Sequence, residues 1–418
     1  MLVGNLSVSR KQSTAFKKNL PKKTLLEKCF RFYDFQKTYM SILKIQNPYM
    51  RVLDPPAAPI ALNKGRSLIM LGSNNYLGLA TNPEVKRAAK RVIDTYGTGS
   101  CSSRVLAGTS SLHVRLEKEL AEFKGTEESL LFSTGYMTMM GTISALADEK
   151  DIIFSDQLNH ASIIDGIRLS KAQVKIYKHN DMASLEENLA SCDHGVNKLI
   201  VTDGVFSMKG DIANIPVIKK LADEYGAVVM VDDAHGTGVL GENGHGVLEH
   251  FHMENEIDIV CCTFSKVFGS VGGAVGAKKE IIDFLRFNAR PFLFTASLPP
   301  SVVMTVLASL RVLNSSPDLL KKLRKNVRFL RGNLKKLNFR VEPTKTAIIP
   351  VLIGDDGKAF RMASELEEEG VFVNPVVPPA VSAESSLIRI SVMASLSQYE
   401  LDIALDKFKI VGKRLGLI

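Results

Sequence analysis

From about residue 128 to 277 the chain alternates short apolar, β-branched runs with longer stretches whose apolar residues recur every three or four positions. The runs "SLLFS" (129–133), "IIFSD" (152–156), "QVKIYK" (173–178), "KLIVTDG" (198–204), "AVVMVDD" (227–233), "DIVCCTF" (258–264) and "GGAVGAK" (272–278) predict seven strands. Between them, "SLEENLAS" (184–191) and "IPVIKKLADEYG" (215–226) predict helices. Strands that are apolar throughout are covered on both faces. Their alternation with helices predicts an α/β fold: a mostly parallel sheet with helices on either side. In such sheets ligand-binding residues gather beyond the carboxyl ends of the strands.

After Pro299 and Pro300 the pattern becomes strongly helical, over 301–336. A smaller α/β unit follows, with strands at 347–353, 371–376 and 386–392 and helices near 357–370 and 397–415. The expected organisation is a basic tail or arm (1–60), a large domain (61–300) and a small C-terminal domain (301–418). The tail itself has two parts. Residues 1–23 are rich in Lys and Ser, whereas 24–46 are aromatic and basic with apolar residues at helical spacing. The second part suits an arm that packs on the body or on a second subunit. An interfacial helix on an anionic membrane and a transit peptide are the other two readings of it.

Composition narrows the function classes. The chain has 418 residues, 45% hydrophobic and 23% charged, as a globular body should be. Its net charge of +9 suggests a nucleic-acid partner until the charge is located: residues 1–60 hold 11 Lys/Arg against 3 Asp/Glu, a net +8, which leaves +1 for the rest. The net basicity thus belongs to the tail rather than to a groove in the body, and there is no zinc-finger spacing or RNA-binding aromatic motif, so no nucleic acid is expected. No apolar run reaches the roughly 18 to 20 residues that span a bilayer, and no compact secretory core is present. The five cysteines include no CxxC pair, so the expectation is a cytoplasmic, reducing setting with neither a disulfide framework nor a metal site.

Candidate chemistry sits at strand ends. In "VDDAHGTG" (231–238) an apolar strand runs into two carboxylates, a histidine and two glycines. Asp232 and Asp233 point to opposite sides of an extended chain, so one can face a ligand while the other bonds to protein. His235 follows across the turn. "VTDGVFSMKGD" (201–211) repeats the layout, although Asp and Gly are also ordinary turn formers. His160 in "SDQLNHASIIDG" (155–166) sits at a strand-to-helix junction, where a histidine serves either as a cap or as a site residue. "FSTGYMT" (132–138) is a strand, a turn and a helix start, whose free N–H groups suit a phosphate. Most telling is "TFSKVFGSVGGAVG" (263–276), with one lysine among small and apolar residues and no carboxylate in the stretch. Apolar surroundings lower a lysine's pKa and make it a nucleophile. Thr263 and Ser265 add hydroxyls, and Asp232 can hold a ring nitrogen protonated. Lysine, phosphate donors and acid together fit one ligand, pyridoxal 5′-phosphate (PLP).

The stretches "VDDAHGTGVLG", "TFSKVFGSVGG" and "VTDGVFSMKGDIANI" resemble the α-oxoamine synthases, fold-type I PLP enzymes that join an amino acid to an acyl thioester with loss of CO2. The likeness runs from "LIMLGSNNYLGL" near residue 68 to the C-terminus. It implies a mostly parallel seven-stranded sheet in the large domain. It further implies that Lys266 bonds the cofactor, Asp232 pairs with the ring nitrogen, and His235 and Ser207 lie near the ring hydroxyl. His160 would stack on the ring. The backbone of Gly135 and Tyr136, with Thr263 and Ser265, would hold the phosphate. Thr295 in the "FTAS" loop would reach the site of a neighbouring subunit, so a homodimer with a shared active site is expected. Arg389 would hold the substrate carboxylate, with Asn75 and Tyr76 near it. "FSTGYMTMMGTIS", "HASIIDGIRLS", "NARPFLFTASLPP" and "GVFVNPVVPPAVSAESSLIRIS" lean toward the members that use serine and palmitoyl-CoA. Alanine with a pimeloyl thioester, glycine with acetyl-CoA, an unusual acyl chain, or a carrier protein in place of CoA are the alternatives within the chemistry. A non-catalytic family member acting as a structural partner is the alternative outside it. Two departures bear on the substrate: Ser395 stands where many relatives carry histidine, and Ser102 where glycine is common.

Overall fold

The computed structural model describes residues 25–193 and 195–418. The Lys- and Ser-rich segment 1–23 lies outside the described residues. Thirteen strands form three sheets: β1 (Ile60–Asn63), β2 (Arg66–Met70), β3 (Glu128–Phe132), β4 (Ile152–Asp156), β5 (Gln173–Tyr177), β6 (Lys198–Asp203), β7 (Ala227–Asp232), β8 (Ile259–Thr263), β9 (Gly273–Ala277), β10 (Ile348–Leu352), β11 (Val371–Phe372), β12 (Asn374–Val376) and β13 (Leu387–Ser391).

The seven expected strands make one sheet, in the order β3-β9-β8-β7-β6-β4-β5. All pairings are parallel except those of β9, which runs antiparallel to both β3 and β8. The inner strands are apolar on both faces because helices cover both: Phe154, Ile200 and Val229 on one face and Ile153, Val201 and Met230 on the other are fully buried. Every strand but β9 therefore presents its carboxyl end to the same edge, where the polar strand-end residues collect.

The C-terminal part builds the sheet β10-β13-β12, entirely antiparallel. The third sheet, β1-β2-β11, bonds the segment just before the large sheet to Val371 and Phe372 of the C-terminal part. The aromatic helix Glu27–Leu43 docks on the same part. Tyr39 donates to Asp356 at 2.9 Å, and its ring packs edge-on against Phe360. Its other side leaves Phe30, Phe32, Tyr33 and Ile42 exposed. Among the described residues, no helix is long and apolar enough to cross a membrane.

Two expectations are corrected. The helical stretch 301–336 is two helices, Pro300–Ser315 and Pro317–Lys336. Pro317 disfavours helical geometry at the residue before it, and Ser316 takes φ −130° and ψ 66°. The strand expected at 371–376 is β11 and β12, which break at Val373 and join different sheets.

Asp232 and Asp233 part as an extended chain requires. Asp232 faces the strand-end edge, while Asp233 is buried against Lys124. The Lys124 ammonium donates to Asp233 Oδ2 at 2.7 Å, to Thr237 Oγ1 at 2.6 Å and to the His245 carbonyl at 2.7 Å. Asp233 Oδ1 also accepts the Val247 N–H at 3.1 Å. This saturated pair pins the turn that follows β7. Lys124→Met leaves the Asp233 charge buried without its partner, so it should cost about 3–5 kcal/mol in a denaturant unfolding series. Lys124→Met/Asp233→Asn should recover part of that loss. A single variant as stable as the parent would show that the pair does not hold the turn.

Candidate active site

Segments leaving β3, β4, β6, β7 and β8 meet around one cavity of about 360 Å³. Its wall brings together Gly135, Tyr136, His160, Ser207, Asp232, His235, Thr263, Ser265 and Lys266.

One end is built for an anion. Thr134 caps the helix Gly135–Leu146 by accepting the Met137 N–H at 3.0 Å. The Gly135 and Tyr136 N–H groups lie in the first turn, where a helix has no acceptors of its own. Thr263 Oγ1 and Ser265 Oγ stand 3.0 Å apart opposite them. Only glycine fits at 135, since a Cβ there would lie 2.6 Å from Thr263 Oγ1. The Tyr136 ring stays at the cavity mouth, where its hydroxyl bonds to Asp165.

The other end is built for a cationic ring atom. Asp232 ends β7, in register with Asp203 at the end of β6 and with Cys261 on β8. Both carboxylates are buried, 7% and 5% exposed. Burial raises the pKa of each, and the neighbouring Asp232 pushes Asp203 further up. Lys266 and His160 act on Asp232 in the opposite direction. Lys266 and the His160 N–H also act downward on Asp203, yet Asp203 is lifted well above the usual carboxylate range, so of the two Asp232 is the more readily ionised. Asp203 Oδ2 accepts the His160 backbone N–H at 2.9 Å, and Asp232 Oδ1 accepts that of Ala234 at 3.1 Å.

Lys266 follows β8 and points into the same space. Burial lowers its pKa to about 8, although Asp232 and Asp203 pull the other way. His160 fills both roles open to it: Nδ1 accepts the Ser162 N–H at 3.2 Å as a helix cap, while the ring lines the cavity. Burial also lowers its pKa, which favours a neutral, stackable ring. His235 is held well below the usual histidine range by burial and by Lys266. Its Nδ1 lies 2.7 Å from the Tyr76 hydroxyl, which also reaches Asn74 Oδ1 at 3.2 Å.

Arg389 arrives from β13. Nε donates to the Ser207 carbonyl at 2.6 Å, and Nη1 donates to Ser391 Oγ at 2.6 Å and to Asn74 Oδ1 at 3.1 Å. Among the described residues Nη2 has no acceptor, so a guanidinium only 6% exposed is locked on one side and free on the other. Asn75, expected near the substrate, turns to the backbone. Its amide donates to the Ala57 carbonyl at 2.9 Å, and its oxygen accepts the Ala80 N–H at 3.2 Å. Thr295 is not in the cavity wall of its own chain; it lines a small separate cleft with Arg104 and His113. Ser102 shapes a loop by accepting the Ala107 N–H at 3.1 Å, and the Ser395 hydroxyl is buried without a partner beneath Gly78.

Sequence reasoning left out Asp203, Asn74 and Ser391. Asp203 carries the same signal as Asp232, a carboxylate ending an apolar run, but the Asp-Gly pair there suits an ordinary turn equally well. Nothing in the local pattern distinguishes Asn74 from Asn75.

The residues fit PLP. Four donors surround one end, carboxylates sit at the other, and an amine that loses its proton more readily than an ordinary lysine lies between, with an aromatic ring beside it. Among the described residues there is no cluster suited to a metal ion.

The comparisons agree with this chemistry. The family model described as aminotransferase class I and II matches residues 66–408. The 8-amino-7-oxononanoate synthase of Thermoanaerobacter pseudethanolicus is 45% identical over 92% of this chain and 98% of its own. The serine palmitoyltransferase of Bacteriovorax stolpii is 46% identical over 86% of each. A solved serine palmitoyltransferase variant from S. paucimobilis, carrying a bound PLP–myriocin aldimine, has a TM-score of 0.91 at 36% identity and covers 95% of this chain and 100% of its own. The chain belongs to the aminotransferase class I and II family, as a PLP-dependent enzyme of the α-oxoamine synthase kind.

Proposed function

We propose that the enzyme condenses L-serine with palmitoyl-CoA, releasing CoA and CO2 and giving 3-ketodihydrosphingosine. The observation that supports an amino-acid substrate is the unused Nη2 of the buried Arg389, whose Nε is held by the carbonyl of the cavity-wall residue Ser207. A planar fork fixed on one side suits a carboxylate on the other. Serine and a long acyl chain are supported by the likeness to serine palmitoyltransferases. Alanine with a pimeloyl thioester is the second reading, favoured by an equally similar 8-amino-7-oxononanoate synthase.

Bound PLP supplies an aldehyde that bonds amines and a protonated ring that takes up negative charge from the amino acid's Cα. The protein's own groups do the rest. The Gly135 and Tyr136 N–H groups, with the Thr263 and Ser265 hydroxyls, hold the phosphate. Asp232 keeps the ring nitrogen protonated, and His160 covers the ring face. Ser207 and His235, the latter held by Tyr76, face the ring hydroxyl. Arg389 holds the substrate carboxylate until it leaves as CO2. Lys266 takes the Cα proton and later returns one, a task suited to an amine with a pKa of about 8. The enzyme works as a homodimer in which Thr295 of one subunit faces the phosphate end of the other. The exposed Phe294 and Leu106, at 73% and 82%, support such a contact.

Two outcomes follow. In cofactor-free protein, PLP capture by Lys266 needs the neutral amine. Its rate should climb about tenfold between pH 6 and 7 and level off above pH 9, with a midpoint near 8 by stopped-flow absorbance. A midpoint near an ordinary lysine's would contradict the lowered pKa. In an amino-acid panel with palmitoyl-CoA, serine should give product, and Arg389→Lys should raise its KM about 10- to 100-fold with the cofactor absorbance unchanged. Product from alanine or glycine but not from serine would replace the serine proposal.

A further inference from the structure

Away from the PLP cavity, the helix Pro317–Lys336 faces residues 239–252 across a second cavity of about 480 Å³. Arg324, Arg328 and Arg331 stand at i, i+4 and i+7 on that helix, so they share one face, and all three line the cavity. Lys345, just before β10, adds a fourth cation. Among the described residues, none of the four lies within ion-pair distance of an Asp or Glu. Arg324 spends Nη2 on the Gly241 carbonyl instead.

The two carboxylates nearby do not neutralise them. Glu249 is already taken: it accepts the Asn243 N–H at 2.9 Å, the Asn243 amide at 2.8 Å and the His245 N–H at 2.8 Å. Glu242 is the other, so two negative charges stand against four positive ones. The surplus is felt locally. Burial lowers the pKa of Arg324 and Arg328 adds to the effect, although Glu249 opposes it. His250, on the facing wall, is lowered by burial and then by Lys345, Arg324 and His252. The floor is apolar, made by Val239, Leu323 and Val327.

We propose that this cleft binds a nucleotide-type polyphosphate, with phosphates on the arginines and the base over the apolar floor. Guanidinium forks match phosphate oxygens, and the volume falls within the range of about 300–1,000 Å³ typical of small-ligand sites. An acidic protein would prefer an open basic face, whereas these cations converge on a concave one. The site does not depend on the identity of the amino acid or acyl donor.

Calorimetry on the PLP-loaded enzyme, with adenosine 3′,5′-bisphosphate and with tripolyphosphate, tests the site. Binding of the bisphosphate should weaken as salt is raised and fall at least tenfold in Arg328→Gln/Arg331→Gln, with the cofactor absorbance intact. Displacement of the bisphosphate by CoA would identify the source as the nucleotide end of the acyl donor. Retention of the bisphosphate in the presence of CoA would identify a free nucleotide. No binding of either probe at millimolar concentration would overturn the proposal, as would equal affinity in the double variant. So would binding of an acidic carrier protein, lost in the double variant, where neither small probe binds.

Discussion

Two buried carboxylates at the ends of β6 and β7, and one half-buried amine just past β8, are the constraint on which the site depends. Burial opposes charge on all three groups. The sheet register places Asp203 beside Asp232, and two buried anions at that spacing cannot both persist with one partly neutral lysine nearby. Burial and the neighbouring Asp232 lift Asp203 well above the usual carboxylate range, so it is the more readily protonated of the two. The outcome is a carboxylate suited to the proposed ring nitrogen and an amine whose pKa is lowered to about 8. Each is a consequence of the other's position.

The rest of the molecule keeps that group in place. Alternation along β7 sends the next residue, Asp233, to Lys124, which ties down the turn carrying His235. The segment after β6 is held from two sides. His179 bridges Asp156 at 3.0 Å and Asp211 at 2.6 Å, and Thr344 and Thr346 both donate to the Gly210 carbonyl. Between these anchors sits Ser207, whose side chain lines the cavity and whose carbonyl fixes Arg389. The C-terminal sheet thus delivers its arginine to a position set by the large sheet.

Much of this was legible from the chain because its signals are local. Apolar runs bounded by turn residues located all seven strands of the large sheet within a residue or two, and the polar residues following them, with Gly135, Tyr136 and Ser207 added by the family resemblance, named nine members of the cavity wall. What escaped was set by contacts distant in sequence. Asp203 matters because of Asp232, 29 positions on, and Asn74 because of Arg389, 315 positions on. The split at Pro317 was visible in the sequence but masked by continuous apolar periodicity on either side. The parting of β11 from β12 needed the partner strands, which no local pattern reveals.

The most direct measurement compares kcat and PLP affinity for Asp232→Asn and Asp203→Asn. A neutral amide can still accept the His160 N–H, so Asp203→Asn should keep kcat within about tenfold of the parent. Asp232→Asn removes the anion proposed to face the ring nitrogen and should lower kcat by about a thousandfold while PLP remains bound. Equal losses in both variants, or the larger loss in Asp203→Asn, would contradict the assignment of the charge to Asp232.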